Sequence, residues 1–203
     1  PYKKNMFFAV PKDAPFPDSS SYQAFVEQAV VRLIKAASGR TLVLFTSFDS
    51  LIHACSYARS MLRNSGITIM KQGEDDRFRL LDNFKKDVNS VLFATDSFRE
   101  DIDVPGQSLS QVIIAKLPFS VPNDPVFTAR SEQIELRGGS SFMDLSVPDA
   151  IIKYRQAVGR LIRRSDDRGS VVVLDRRIIE KSYGRLFLAS MPEVNVRYEP
   201  LED

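Results

Sequence analysis

Cysteine and histidine are nearly missing from this sequence of 203 residues, which holds only Cys55 and His53. One cysteine excludes a disulfide within the chain. Zinc sites and iron–sulfur clusters draw several ligands from Cys and His, so neither fits, and no metal site is expected. Such sparing use of cysteine suits a reducing compartment, and the expected location is cytoplasmic. Long apolar runs are also lacking. The longest, such as Thr41–Phe45 and Val171–Leu174, are strand-sized, whereas a membrane span needs about 20 apolar residues. No membrane partner is expected. Pro1–Met6 carries charge, but the long apolar core of a signal peptide does not follow it. The first residue is not Met, so the expectation is a piece of a longer protein. A phosphate loop of the form G-x-x-x-x-G-K-[ST] is absent. So is a convincing acidic motif after an apolar strand: Val173-Leu174-Asp175 ends in one acid, which reads as capping the next turn. A triphosphate site built by this chain alone is thereby excluded. Excess charge is small as well. Lys and Arg total 28 against 26 for Asp and Glu, a net charge of +2. Any nucleic-acid contact must come from local clustering of basic residues.

What is present is the ordinary make-up of a globular protein, 43% apolar and 27% charged. The length allows one domain with a substantial core. Residues 1–20 read as an extended lead-in containing a short strand at Met6–Val10. A helix follows, with Tyr22, Phe25, Val26, Ala29, Val30, Leu33 and Ile34 at helical spacing, caps in Ser19–Ser21 and a stop at Gly39. Strands are then expected at Thr41–Thr46, Ile67–Met70, Val91–Ala94, Val112–Ala115 and Val171–Leu174. Helices are expected at Ser50–Asn64, Asp75–Lys86 (Phe78, Leu81 and Phe84 facing inward), Asp149–Arg164 and Ile178–Ala189. Short apolar strands alternating with amphipathic helices predict an α/β fold, a parallel sheet covered on both faces. Residues 118–147 break the rhythm with prolines, the Gly138-Gly139 pair and a helical stretch at Pro125–Leu136. They read as a partly helical insertion, either with its own task or as a surface elaboration.

The densest chemistry lies in Gln156-Ala-Val-Gly159-Arg160-Leu-Ile-Arg163-Arg164. Positions i, i+4 and i+7 share a helix face, so Gln156, Arg160 and Arg163 are expected to point one way and Ala157 toward the sheet. Ser146 is the candidate cap of this helix. Gly159 leaves room for another surface to approach the polar face, at a cost of about 1 kcal/mol relative to Ala in a helix interior. Two arginines one turn apart can grip phosphate oxygens with permanently charged forks. A solvated basic face is the plainer reading of Arg163 and Arg164 alone; the Gln and Gly at this spacing turn the balance toward phosphate.

Gln156-x-x-Gly159-Arg160-x-x-Arg163 resembles motif VI of superfamily 2 helicases. Ala94-Thr95-Asp96 through Glu100-Asp101-Ile102-Asp103-Val104-Pro105-Gly106 resembles their motif V, and Leu42–Phe48 their motif IV, in the same order. Thr95-Asp96-Ser97-Phe98, Lys116-Leu117-Pro118-Phe119, Pro122-Asn-Asp124-Pro125 and Arg137-Gly138-Gly139 sharpen the likeness to the DinG/XPD branch of DNA helicases. The resemblance runs from about residue 40 through nearly all the rest of the chain. It implies a second RecA-like motor domain. Arg163 would be the arginine finger, Arg160 a second γ-phosphate contact and Gln156 a link to the moving interface. Asp103 would lie near the nucleotide ribose and communicate with motif VI, and Glu100 and Gly159 would share in ATP binding and coupling. Thr95, Ser47, Thr46 and Lys116 would face single-stranded DNA. For Thr95 and Ser47 the alternative is a helix cap just after a strand; for Asp103 it is a turn before Pro105. ATP and Mg2+ would be held mainly by the first RecA-like domain of the same protein, and travel along DNA would be 5′-to-3′. One departure stands out: Asp101 replaces the Gly that this branch usually carries in motif V, and Arg99 stands where Trp is frequent. Asp101 therefore leaves a second reading open, a non-catalytic module that binds nucleic acid or docks a protein. A third is the motor part of a nuclease-helicase.

Overall fold

The computed structural model describes residues 5–95, 98, 109–120, 124–159, 168–191 and 194–201. The strands are β1 (Met6–Pro11), β2 (Thr41–Phe45), β3 (Thr68–Lys71), β4 (Ser90–Thr95), β5 (Gln111–Ile114), β6 (Gly169–Val173) and β7 (Val196–Glu199). The helices are α1 (Tyr22–Ala37), α2 (Phe48–Met61), α3 (Arg77–Lys86), α4 (Pro125–Leu136), α5 (Val147–Val158), α6 (Arg177–Glu180) and α7 (Gly184–Ala189). The seven strands form one sheet in the order β3-β4-β2-β5-β6-β1-β7, and every pairing is parallel.

Strand periodicity divides the interior into two cores. Side chains alternate between sheet faces, so Leu42 and Leu44 join one apolar cluster while Val43 and Phe45 join the other. The first cluster is closed by Leu80, Leu81 and Phe84 of α3, Ala150, Tyr154 and Ala157 of α5, and Phe187 of α7. The second is closed by Val26, Val30 and Ile34 of α1 and by Leu51, Ala54 and Ala58 of α2. Both faces of the central strands are dry, which is why they read as unbroken apolar runs.

Several expectations need correcting. Phe78 is 78% exposed; the inward stripe of α3 is Leu80, Leu81 and Phe84. At about 3.6 residues per turn, Phe78 falls on the flank of that stripe. Ser146 is not a side-chain cap, because a π-helical turn, Phe142–Ser146, runs directly into α5. The expected stop of α1 at Gly39 holds: Ser38, with φ of 53°, caps the helix in the left-handed region, and Gly39 follows with φ of 87°. Their amides donate to the carbonyls of Lys35 and Ile34 at 3.1 and 3.2 Å, closing the helix end. The expected Ile178–Ala189 helix is two short pieces. A Cβ on Gly184 would stand 2.2 Å from the carbonyl oxygen of Ile178, an approach only glycine permits. β7 is an element beyond those expected from the sequence. It pairs with β1, which places the lead-in strand inside the sheet, between β6 and β7.

Candidate nucleic-acid and nucleotide interface

In a parallel sheet all strands end along one edge, and ligands of open α/β sheets gather there. The register pairs Phe45 with Thr95, Leu44 with Ile114, and Ile114 with Val173. Two residues beyond Leu44, Ile114 and Val173 stand Thr46, Lys116 and Asp175. Thr46 and Lys116 are half-buried, Ser47 is exposed, and Thr95 and Asp175 are buried. The sheet therefore collects Thr46, Ser47, Thr95 and Lys116 along one edge, although they lie far apart in the chain.

Their hydrogen bonding differs in a way that matters for contact with an anion. Ser47 is the N-cap of α2, and its hydroxyl oxygen accepts from the amide of Ser50 at 3.3 Å. Capping uses a lone pair and leaves the hydroxyl proton to give. Thr95 has spent its donors. Its amide and its hydroxyl both donate to Gln72 Oε1, at 2.7 and 3.0 Å. Gln72 sits just past β3, and its own amide donates to the carbonyl of Phe93 at 2.9 Å.

The exit of β5 is held from both sides. The amide of Ala115 donates to the carbonyl of Leu44 at 2.9 Å, and the carbonyl of Ala115 accepts from the hydroxyl of Tyr22 on α1. Burial, aided by the negative Asp175, pushes the Tyr22 phenol well above its ordinary value, so it stays a donor. On the other flank of Lys116, the amide of Leu117 donates to Asp175 Oδ2 at 2.9 Å. Asp175 also accepts from the Arg177 amide at 3.1 Å and from the Arg177 guanidinium, with Nη2–Oδ2 at 2.6 Å. Burial opposes the charge on Arg177, but the hydrogen bonds and attraction of Asp175 outweigh it and hold the guanidinium above its usual range. The sequence reading of Asp175 as the cap of the next turn is correct but incomplete. Its bond to Leu117, 58 residues away, had no local signal.

Arg177 also lies over the ring of Phe119, 5.3 Å from its centroid. Phe119 meets Phe142, Tyr183 and Phe187 at centroid distances of 5.6, 5.7 and 5.8 Å, and Phe187 meets Tyr154 of α5 at 5.5 Å. The segment after β5 is fastened to α5 a second time, where Asp149 Oδ2 accepts from Ser120 Oγ at 2.7 Å and pairs with Lys153 Nζ at 2.9 Å. These aromatic contacts gave no sequence signal beyond Phe119 in its Leu-Pro-Phe setting.

On α5, Gln156 is exposed and Ala157 is buried, the two-sided arrangement expected of this helix. Gly159 is exposed and follows the last helical residue with φ of −64°, so it stands at the helix end and not in its interior. Arg160, Arg163 and Arg164, like Glu100, Asp101 and Asp103, lie outside the described residues. Among the described residues no group of three or more His, Cys, Asp or Glu could hold a metal ion. No helix of the described residues is long and apolar enough to cross a membrane.

The same architecture occurs in a solved XPD helicase, which superimposes with a TM-score of 0.70 at 17% identity over 94% of this chain and 35% of that one. The fold is that of a RecA-like helicase domain. Residues 30–194 match the family described as the helicase C-terminal domain, and the chain belongs to that family, in its DinG/XPD branch. It is 39% identical over 191 residues to the ATP-dependent DNA helicase YoaA of Haemophilus influenzae, covering 94% of this chain and 29% of that protein. It is 38% identical over 195 residues to the ATP-dependent DNA helicase DinG of Photobacterium profundum, covering 94% of this chain and 28% of that protein. The chain thus spans less than a third of the length of these relatives.

Proposed function

We propose that this chain is the second motor domain of an ATP-dependent DNA helicase and supplies one half of its nucleotide site. The observation that carries the reading is the family match over residues 30–194. It takes in the motif IV, V and VI segments in order, on a parallel sheet that ends all its strands along one edge. The other half, with the phosphate loop this sequence lacks, belongs to the first RecA-like domain of the same protein.

On this reading Arg163 is the arginine finger and Arg160 a second contact to the γ-phosphate. Gln156 links that contact to the domain interface, where Gly159 permits close approach. Asp103 serves the ribose side of the nucleotide, and Glu100 takes part in coupling. The NH2 of the Gln156 amide and two guanidinium groups supply donors, which fits the acceptor oxygens of a triphosphate. ATP with its Mg2+ supplies the phosphoryl transfer; the residues of this chain orient the γ-phosphate and offset its charge. Closure of the two domains on the nucleotide moves the DNA-bearing edge, and travel is 5′-to-3′.

Single-stranded DNA crosses the sheet edge. Ser47 offers its hydroxyl proton, Lys116 its charge, and the α2 N-terminus after Thr46 and Ser47 its amides, all groups suited to backbone phosphates. Contact through Thr95 requires Gln72 to release one of the two bonds it holds. Contacts of this kind position a strand without reading its sequence. No helix of the described residues could span a membrane, and the proposed site of action is the cytoplasm. The test is unwinding by the full-length protein of partial duplexes bearing either a 5′ or a 3′ overhang. ATP-dependent unwinding of the 5′-tailed substrate is expected, and unwinding of the 3′-tailed substrate alone would contradict the assigned polarity.

A further inference from the structure

Asp175 is fully buried at the sheet edge, yet it belongs to none of the helicase-like motifs. Its carboxylate holds the Leu117 amide and so fixes the backbone on one flank of Lys116; the Tyr22 hydroxyl fixes the other flank through the Ala115 carbonyl. From Asp175 a continuous line of contacts leads away from the edge. Arg177 grips the carboxylate and covers Phe119, Phe119 meets Phe187, and Phe187 meets Tyr154. Tyr154 is fully buried on α5, two residues before Gln156.

We propose that Asp175 and Arg177 are positioning residues that couple Lys116 at the nucleic-acid edge to the helix carrying Gln156, through this line of packed side chains. The inference rests on the reading of the chain as a helicase motor domain. The Asp175 end of the line is held by geometry that does not slide. The Arg177 fork fits the carboxylate in one orientation, and its planar guanidinium covers the Phe119 ring. A displacement of the β5 exit therefore has to be absorbed by Phe119 and passed to Phe187, because a densely packed cluster transmits shifts in place of compressing.

Contact alone does not measure coupling, so the test compares two rates in the full-length protein: ATP hydrolysis without DNA and with saturating oligo(dT). Arg177→Lys keeps a positive charge beside Asp175 while losing the fork and the planar cover over Phe119. Phe119→Leu leaves the Asp175–Arg177 pair intact and breaks the line one step later. Each variant is expected to keep its basal rate within about twofold of wild type and to lose about tenfold in the stimulation by oligo(dT), a typical size for coupling between sites. Because a general loss of structure lowers both rates together, a parallel fall in basal and stimulated hydrolysis would overturn the proposal, as would full stimulation in both variants. A wild-type protein that oligo(dT) does not stimulate would overturn the helicase reading itself, and with it the coupling.

Discussion

Gln72 Oε1 receives both the amide proton and the hydroxyl proton of Thr95, at 2.7 and 3.0 Å. A phosphate oxygen can only accept, so Thr95 has nothing left to give it while Gln72 stays in place. The two residues are therefore unequal under mutation. Thr95→Val removes the hydroxyl and keeps the amide bond, at an expected cost of about 1 kcal/mol. Gln72→Ala deprives both the amide and the hydroxyl of Thr95 of this acceptor, at an expected cost of about 1–3 kcal/mol. Thermal or denaturant unfolding should rank Gln72→Ala as the more destabilising. The reverse order would show that the Gln72 side chain is not the partner that holds Thr95.

Gly39 joins α1 to β2 with φ of 87°, and a Cβ there would stand 2.6 Å from the backbone carbon of Asn89. Two penalties combine in Gly39→Ala: a left-handed conformation that L residues disfavour, at about 1 kcal/mol or more, and a clash with main chain that cannot swing aside. The expected result is a drop in melting temperature well beyond that of Gly66→Ala, where φ is also positive but a Cβ would meet nothing within 4 Å. Equal losses at the two sites would mean that the Asn89 backbone yields.

The sequence lacks a phosphate loop and carries a net charge of only +2, which sets expectations for this chain on its own. It should not hydrolyse ATP, and it should bind single-stranded DNA weakly. That binding should weaken further with salt, as expected of phosphate contacts that release counterions. Titration of labelled oligo(dT) at two ionic strengths measures it directly. Tight binding unaffected by salt would contradict an edge built from Lys116, Ser47 and the start of α2.

How far the sequence could be read depended on whether a signal was local. Strands β2, β4, β5 and β6 were legible because both faces are buried, leaving unbroken apolar runs such as Leu42–Phe45 and Val171–Val173. Segment α4 (Pro125–Leu136) was legible as well, from a proline in its first turn behind Asp124, whose carboxylate caps the Val126 amide at 2.8 Å. Ser47 could be read as a cap or as a DNA contact, and the structure makes it a cap while leaving its proton available. The order of strands was not legible. Nothing in Met6–Pro11 says that it lies between β6 and β7, and Val196–Glu199 carries Arg197 and Glu199 on a short edge strand whose inward residues are only half-buried. The Asp175 bond to Leu117 is not legible for the same reason, since the fold, not the local sequence, brings the two together. Phe78 misled because it is apolar and close to the right spacing, yet one side of the α3 stripe suffices to close that core.

The proposed completion of a nucleotide site by Arg163 can be read out in DNA-stimulated ATP hydrolysis by the full-length protein. Wild type and Arg163→Ala should be compared at saturating ATP and oligo(dT), with nucleotide affinity measured alongside. An arginine finger contributes about 10³-fold or more to turnover, so Arg163→Ala should lose most of its activity while still binding ATP. A variant that turns over as fast as an active wild type would contradict the assignment.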